Sequence, residues 1–297
     1  MQSSVGFGGD GREIAPGLYL VATPIGAARD ITLNALDLLA GVDVLAAEDT
    51  RTLRHLMRIH GIDAGGRPLI SVHDHNEAQI TPKLLALLAE GKSIAYASEA
   101  GTPLVSDPGF GLARAAAEAG HEIHAAPGAS ALLAALMVAG LPTDRFLFAG
   151  FPPAADGDRR RFLHELGARQ ETLILYESPH RVMKTLNEMA EIFGPDRPAA
   201  LCRELTKRHE EVVRGTLATI TDHFAEIPPR GEIVLVIDRT PVRQADPDQI
   251  ASQLQEALKT MRVRDAASFV AQEAGIPRKI AYQMALGLRK DSPDDNA

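Results

Sequence analysis

Three glycine- and proline-bearing turns, each set between a short apolar run and a helical stretch, constrain this chain more than any other feature. They are Thr23-Pro24-Ile25-Gly26, Ala100-Gly101-Thr102-Pro103 with Ser106-Asp107-Pro108-Gly109 close behind, and Pro127-Gly128-Ala129-Ser130. The runs before them, Leu18 to Ala22, Ser93 to Ala97 and His121 to Ala125, read as buried strands. Strand, tight turn and helix in repetition predict a parallel α/β sheet. In such a sheet the turns at the carboxyl ends of the strands converge on a ligand crevice. Glycine there admits close approach, because no Cβ intervenes. The first half of the chain is therefore expected to hold a nucleotide-sized molecule.

The 297 residues suffice for two compact domains, or one large one with an appendage. Residues 1–16 are rich in glycine and serine and lack the basic and apolar regions of a secretory signal, so they read as a flexible extension. A first α/β domain, the cofactor-binding one, is expected over 17–151, with Phe146 to Phe151 as its last strand. It also holds helices at Leu33 to Leu39, Arg51 to His60, Thr81 to Leu88 (Pro82 in the first turn) and Leu112 to Ala119, and a strand at Val42 to Ala47. Pro152-Pro153 opens a linker. A second α/β domain, 152–239, then reads strand, helix, strand, strand and a closing strand: Thr172 to Glu177, Arg181 to Ile192, Ala199 to Glu204, Val212 to Thr219 and Glu232 to Asp238. A second break carries Pro241 and Pro247. Residues 249–290 read as three helices with a Gly275-Ile276-Pro277 turn, the pattern of a helix-turn-helix module.

Charge and rare residues narrow the function. The net charge of -8 argues against uniform attraction to polyanions. The tail differs from the rest: Lys259, Arg262, Arg264, Arg278, Lys279, Arg289 and Lys290 outnumber Glu256, Asp265 and Glu273. A positive module on an acidic body suggests nucleic-acid contact, and a solvated three-helix cap is the plainer alternative. The single Cys202 excludes an internal disulfide and suits a reducing cytoplasm. Ten histidines are scattered, with only His73-Asp74-His75 clustered, so no metal site is expected. The longest apolar stretch, Ala129 to Leu141, is too short for a membrane span.

None of the turns is a Walker loop or a G-x-G-x-x-G fingerprint, and no G-x-S-x-G elbow occurs. A crevice with backbone amides, the hydroxyls of Thr23, Thr102, Ser106 and Ser130, and apolar walls remains. It suits an adenosine-bearing cofactor with little phosphate, such as S-adenosylmethionine. Turns that merely join strands are the competing reading.

Eight segments, in order, carry a resemblance. They are Leu-Val-Ala-Thr-Pro-Ile-Gly at 20–26, Ala-Ala-Glu-Asp-Thr-Arg at 46–51, His-Asp-His-Asn-Glu at 73–77 and Glu-Ala-Gly-Thr-Pro-Leu-Val-Ser-Asp-Pro-Gly at 99–109. The others are Gly-Leu-Pro-Thr-Asp-Arg-Phe at 140–146, Tyr-Glu-Ser-Pro-His-Arg at 176–181, Arg-Glu-Leu-Thr-Lys at 203–207 and Gly-Glu-Ile-Val-Leu-Val at 231–236. This set resembles the family of small-subunit ribosomal RNA methyltransferases I within the tetrapyrrole methylase superfamily. The helical tail is similar to the helix-turn-helix that accompanies many members. The resemblance implies a two-domain class III methyltransferase fold, distinct from the Rossmann-type one, usually homodimeric, with the cofactor in the interdomain cleft. It implies 2′-O-methylation, by S-adenosylmethionine, of one cytidine in the decoding centre of 16S rRNA within the 30S subunit.

Carried over by position, the cofactor would meet Pro24, Gly26, Gly101, Thr102, Pro103, Val105, Ser106 and Ser130, with Phe151 closing the pocket. Ala27 stands where the family usually has asparagine, and Glu99 where aspartate is usual. In-line positioning could supply much of the acceleration, up to about 7–11 kcal/mol. A ribose hydroxyl must also lose its proton, and a general base is worth about 10²–10⁴-fold. Asp49, Asp74, His73, His75, Glu177, Glu204 and Lys207 are the candidates. The Asp74 region with Glu204 and Lys207 is preferred, because polar clusters at strand ends face the crevice. Phosphate contacts are expected from Arg159, Arg160 and Arg161 after the linker, from Arg181, and from Arg262, Arg264, Arg278 and Lys279 in the tail. Each has a structural alternative: Arg181 could instead anchor Glu177, and Glu204 could be a plain ion-pair partner. Leu132, Leu133 and Leu136 are expected in the core. A tetrapyrrole or corrin C-methyltransferase and a non-catalytic ribosome-assembly factor remain as rival functions, since fold does not fix substrate.

Overall fold

A computed structural model describes residues 14–240, 247–274 and 276–290. The expected extension at residues 1–16 lies outside these but for its last three positions. The described residues up to Thr240 form one compact unit and those from Pro247 another.

The first sheet is built from β1 (Gly17–Val21), α1 (Leu33–Gly41), β2 (Val44–Ala47), α2 (Thr50–Ile59), β3 (Leu69–Ser71), α3 (Glu77–Ala89), β4 (Ser93–Ala97), α4 (Phe110–Glu118) and β5 (Ile123–Ala126). Its strand order is β3-β2-β4-β1-β5, and every pairing is parallel. Both faces are covered. Val21, Leu45, Ala95 and Ala97 meet α1 and α2 on one side, while Leu18, Val44, Ile94 and Tyr96 meet α3 and α4 on the other. Burial on both faces is why these strands read as continuous apolar runs with no alternation. The helix expected at Thr81 begins at Glu77, so Pro82 sits inside it instead of in its first turn. Glu77, in the first turn of α3, accepts from Leu112 N (2.7 Å) and so serves the amino terminus of α4.

The next helix, α5 (Ala131–Ala139), follows β5 in sequence yet packs on the second sheet. Its Ala135, Leu136 and Ala139 lie against Ile174, Ala200, Cys202, Val234 and Val236. Leu133, expected in the core, is 49% exposed on the outer face beside Met137 at 83%. Helical geometry places positions 133 and 137 one turn apart, opposite the buried stripe.

The second sheet comprises β6 (Phe146–Gly150), α6 (Asp156–Gly167), β7 (Thr172–Glu177), α7 (Val182–Phe193), β8 (Pro198–Arg203), β9 (Glu211–Thr216), α8 (Leu217–His223) and β10 (Ile233–Ile237). The order is β6-β7-β10-β8-β9, parallel between β6 and β7 and antiparallel elsewhere. This corrects the expected boundary at 151/152, since β6 pairs with β7 and belongs to the second sheet. The residues after Pro152-Pro153 are the connection into α6, the crossover helix a parallel β6–β7 pair requires. Leu163, Leu166, Leu186, Leu201 and Leu235 fill one face of this sheet.

In the second unit α9 (Pro247–Leu258), α10 (Val263–Ala274) and α11 (Arg278–Lys290) surround Ile250, Leu254, Ala266, Ala267, Val270, Ala281 and Ala285. Arg262, Arg264, Arg278 and Lys279 are exposed there. No described helix is long and apolar enough to cross a membrane.

Candidate functional site

The three turns singled out in the sequence end three adjacent strands, β4, β1 and β5. They are stitched together. Thr23 N donates to Gly101 O (2.9 Å) and Gly101 N returns a bond to Thr23 O (3.0 Å). Thr102 Oγ1 donates to Ala129 O at 3.1 Å, tying the second turn to the third. Leu104 (φ 70°), Ser106 (φ 63°) and Gly101 (φ 82°) are left-handed, a conformation costly for the first two.

The second sheet faces the first turn with the segment Glu204 to Lys207. Ala27 N donates to Thr206 Oγ1 (3.1 Å), so the departure from asparagine at 27 leaves a backbone contact in place. The approach is close enough that a Cβ on Gly26 would lie 2.5 Å from Thr206 Oγ1 and 2.8 Å from Leu205 O. Glu204 (φ 52°) and Thr206 (φ 63°) are left-handed, and Gly231 leaves the room in which the Glu204 carboxylate sits.

Between these parts lies a cavity of about 680 Å³. Its wall includes Pro24, Gly26, Gly101, Thr102, Val105, Ser106, Ser130 and Phe151, as well as Lys207. The same wall holds Ile25, Glu48, Thr52, Glu99, Asp107, Tyr176, Glu177, Gly231, Glu232 and Ile233. Phe151 is half exposed, with its ring edge-on to Tyr176 at 5.5 Å. Pro103 is buried behind the turn and does not line the cavity; neither does Glu204 nor the exposed Asp74.

The electrostatics are divided. Burial, with Glu48, Glu99 and Asp74 nearby, pushes the Asp107 carboxyl up to about 7. Burial and the charges of Glu99 and Asp74 likewise raise Glu48. Glu204 moves the other way, because it accepts from Glu232 N (3.0 Å) and from Lys207 Nζ (3.0 Å). Burial acts to lower Lys207, but its bonds to Glu232 (2.9 Å) and Glu204 outweigh it and leave the amine above the ordinary lysine range. Lys207 is therefore a fixed cation, and Asp107 is the cavity carboxylate poised to exchange a proton near neutrality.

Two other candidate bases, Asp49 and Glu177, are committed elsewhere. Asp49 caps α2, accepting from Arg51 N (2.7 Å) and pairing with the Arg51 guanidinium, which holds it at about 2. Glu177, with 2% exposure, accepts from Ser178 N, Thr185 Oγ1 and Arg181 Nη2. His73 and His75 stand edge to face at 6.0 Å, a contact that engages neither ring's nitrogens, and the buried His73 Nδ1 has no hydrogen-bond partner among the described residues.

Two expected phosphate contacts are corrected. Arg159 is 1% exposed and donates two hydrogen bonds to Glu188 (2.7 and 2.9 Å), one to Asp156 (2.8 Å) and one to Ala154 O (3.1 Å). A buried guanidinium needs such partners, and α6 turns this arginine inward onto α7. Arg181 donates to Glu177, Ser178 Oγ and Pro152 O, so it anchors Glu177 and the turn after β6. Arg160 is half-buried and Arg161 exposed, and both are paired, with Glu191 (2.7 Å) and Asp158 (3.2 Å).

Sequence reasoning did not single out Glu48 or Asp107 as titrating groups, although both lie inside the quoted motifs. Glu48 follows β2 and reaches the site only because β2 lies beside β4. Among the described residues no group of three or more His, Cys, Asp or Glu side chains could hold a metal ion.

Comparison with known proteins accords with this architecture. Residues 17–221 match the family model described as Tetrapyrrole (Corrin/Porphyrin) Methylases, and 244–289 match the RsmI C-terminal HTH domain. The protein named ribosomal RNA small subunit methyltransferase I of Mesorhizobium japonicum is 44% identical, over 95% of each chain. That of Escherichia coli O157:H7 is 40% identical, over 91% of this chain and 94% of its own. Among solved structures, the uroporphyrin-III-C-methyltransferase of Thermus thermophilus superposes with a TM-score of 0.54 at 24% identity, over 76% of this chain and 95% of that one. A diphthine synthase gives 0.59 at 15% identity, over 74% and 89%, and these two establish the fold alone.

Proposed function

This chain belongs to the ribosomal RNA small subunit methyltransferase I family of the tetrapyrrole methylases, and we propose that it methylates the ribose 2′-hydroxyl of one cytidine in the 16S rRNA decoding centre, with S-adenosylmethionine as donor. The observation carrying this reading is the convergence of three strand-end turns, Asp107 and Lys207 on one cavity.

The residues present fit the donor. A volume of about 680 Å³ falls within the roughly 300–1,000 Å³ of small-molecule sites. Ile25, Val105, Phe151, Tyr176 and Ile233 offer apolar wall for a base, and Glu48, Glu99 and Asp107 suit a cationic centre. Pro24, Gly26, Gly101, Thr102, Val105, Ser106 and Ser130 would hold it through backbone groups and hydroxyls, with Pro103 supporting the turn from behind. S-adenosylmethionine supplies an electrophilic methyl group on a sulfonium.

The protein's part is orientation and a proton. Asp107 accepts the hydroxyl proton at a carboxylate oxygen, since its affinity for that proton matches neutral pH. Lys207 remains protonated and fixed, facing the acidic wall as the cation for an anionic group of either substrate. Glu204 positions Lys207 from behind the wall. Asp74 acts through its charge on Asp107 and Glu48.

The substrate is the 30S subunit in the cytoplasm, engaged by the exposed arginines and lysine of the helical module. The protein works as a homodimer, for which the apolar outer face of α5 with Leu133 and Met137 is the suited contact. The deciding test is transfer of labelled methyl from S-adenosylmethionine to 30S subunits lacking the modification, with the label mapped on the rRNA. Label on the ribose of one decoding-centre cytidine supports the reading. Label on a corrinoid precursor instead, or tight cofactor binding without transfer, overturns it.

A further inference from the structure

We infer that α2 is an RNA rail, its outer face guiding the phosphates of the rRNA strand into the cavity mouth. The inference rests on the rRNA reading above and deepens it, because the expected cationic segment on α6 is neutralised by Glu188, Glu191, Asp156 and Asp158.

The helix begins at the cavity, since Glu48 just ahead of it and Thr52 in its first turn line the wall. Its ten residues extend about 15 Å away from that point. Leu53 and Met57 face the core. At about 100° per residue, Arg51, Arg54, His55 and Arg58 fall within a stripe of roughly 100° on the side turned from it. All four are exposed. Arg51 is paired with Asp49, whereas the guanidiniums of Arg54 and Arg58 have no hydrogen bond or ion pair among the described residues. Unneutralised guanidiniums one helical turn apart on a chain of net charge -8 are matched to an anionic partner with regularly spaced charges. The same two side chains border a concavity of about 360 Å³ closed by Gly61, Ile62, Asp63 and Ala64. Asp63 lines the same hollow, its Oδ1 accepting from Gly65 N (3.1 Å), so a phosphate would be held on the arginine side.

The test compares wild type with Arg54→Gln/Arg58→Gln and Arg54→Glu/Arg58→Glu. Three readouts are taken: methyl transfer to 30S subunits, the salt dependence of binding to them, and S-adenosylmethionine affinity by calorimetry. Loss of two phosphate contacts should reduce the log–log salt slope by about 1.4. KM for the subunit should rise about tenfold in the glutamine pair and further in the glutamate pair, with cofactor affinity unchanged. Wild-type transfer with slope and KM unmoved in both variants refutes the rail. A change in oligomeric state instead assigns this face to a second copy of the chain and also refutes it. Failure of transfer in the wild-type protein refutes the rRNA reading, and the rail with it.

Discussion

Replacing Asp107 by asparagine should separate stability from activity in this protein. The carboxyl rises from 3.8 to about 7 on folding, so between those values the folded chain binds a proton that the unfolded chain does not. The sign follows from linkage: the group's contribution is fully present below about pH 4 and is lost as pH rises through about 7. A shift of about three units corresponds to roughly 4 kcal/mol, an upper figure because solvent reaches part of the carboxyl. An asparagine at this position cannot ionise and escapes this loss. The variant should therefore melt higher than wild type at pH 8, by about 5–10 °C, and match it near pH 4. Its turnover should fall about 10²–10⁴-fold if Asp107 accepts the ribose proton. Wild-type kcat/KM should increase with pH through about 7, and the kcat limb should lie lower, because a bound cation favours the carboxylate. Scanning calorimetry at both pH values and single-turnover methyl transfer provide the readouts. Near-normal turnover with an intact pH limb in the asparagine variant would refute the assignment of the base. An unchanged melting difference across pH would refute the burial argument beneath it.

Glu48→Gln removes a charge that raises Asp107, so the acid limb of kcat/KM should move to lower pH; a limb that stays put excludes the coupling. Gly26→Ala places a Cβ 2.5 Å from Thr206 Oγ1 and should cost about 1–3 kcal/mol in denaturant unfolding while weakening cofactor binding. Arg159→Met strands the buried Glu188 carboxylate and should cost about 3–5 kcal/mol, yet leave the salt slope of RNA binding unaltered; a reduced slope would restore its phosphate role. Met137→Glu puts a charge on the exposed face of α5 and should yield monomers in sedimentation velocity; a dimer that persists refutes this contact.

The fold class was legible in the sequence because its signals are local. Apolar runs of strand length, glycines at positive φ after β4 and the proline-bearing turns depend on neighbours in the chain, and they located β1, β4 and the turns about the cavity within a residue or two. Short β3 carries too few residues to announce itself, and the proline pair at 152 hid the fact that β6 pairs forward with β7. Pairing partners are long-range, so no local pattern encodes them.

The site divides along the same line. Gly26 and Gly101 were visible as turn residues, but the reason Gly26 must lack a side chain is the segment of Leu205 to Lys207, about 180 positions away. Asp107 and Glu48 were visible as letters within motifs, yet their raised proton affinity exists only because β2 adjoins β4 and brings three carboxylates into one partly dry space. The three arginines at 159–161 read alike in sequence, and only the packing of α6 on α7 made the first a buried ion pair. Sequence alone set the elements and their turns through backbone preference and apolar period; tertiary structure alone decided which charges meet, because that depends on distance and desolvation between segments remote in the chain.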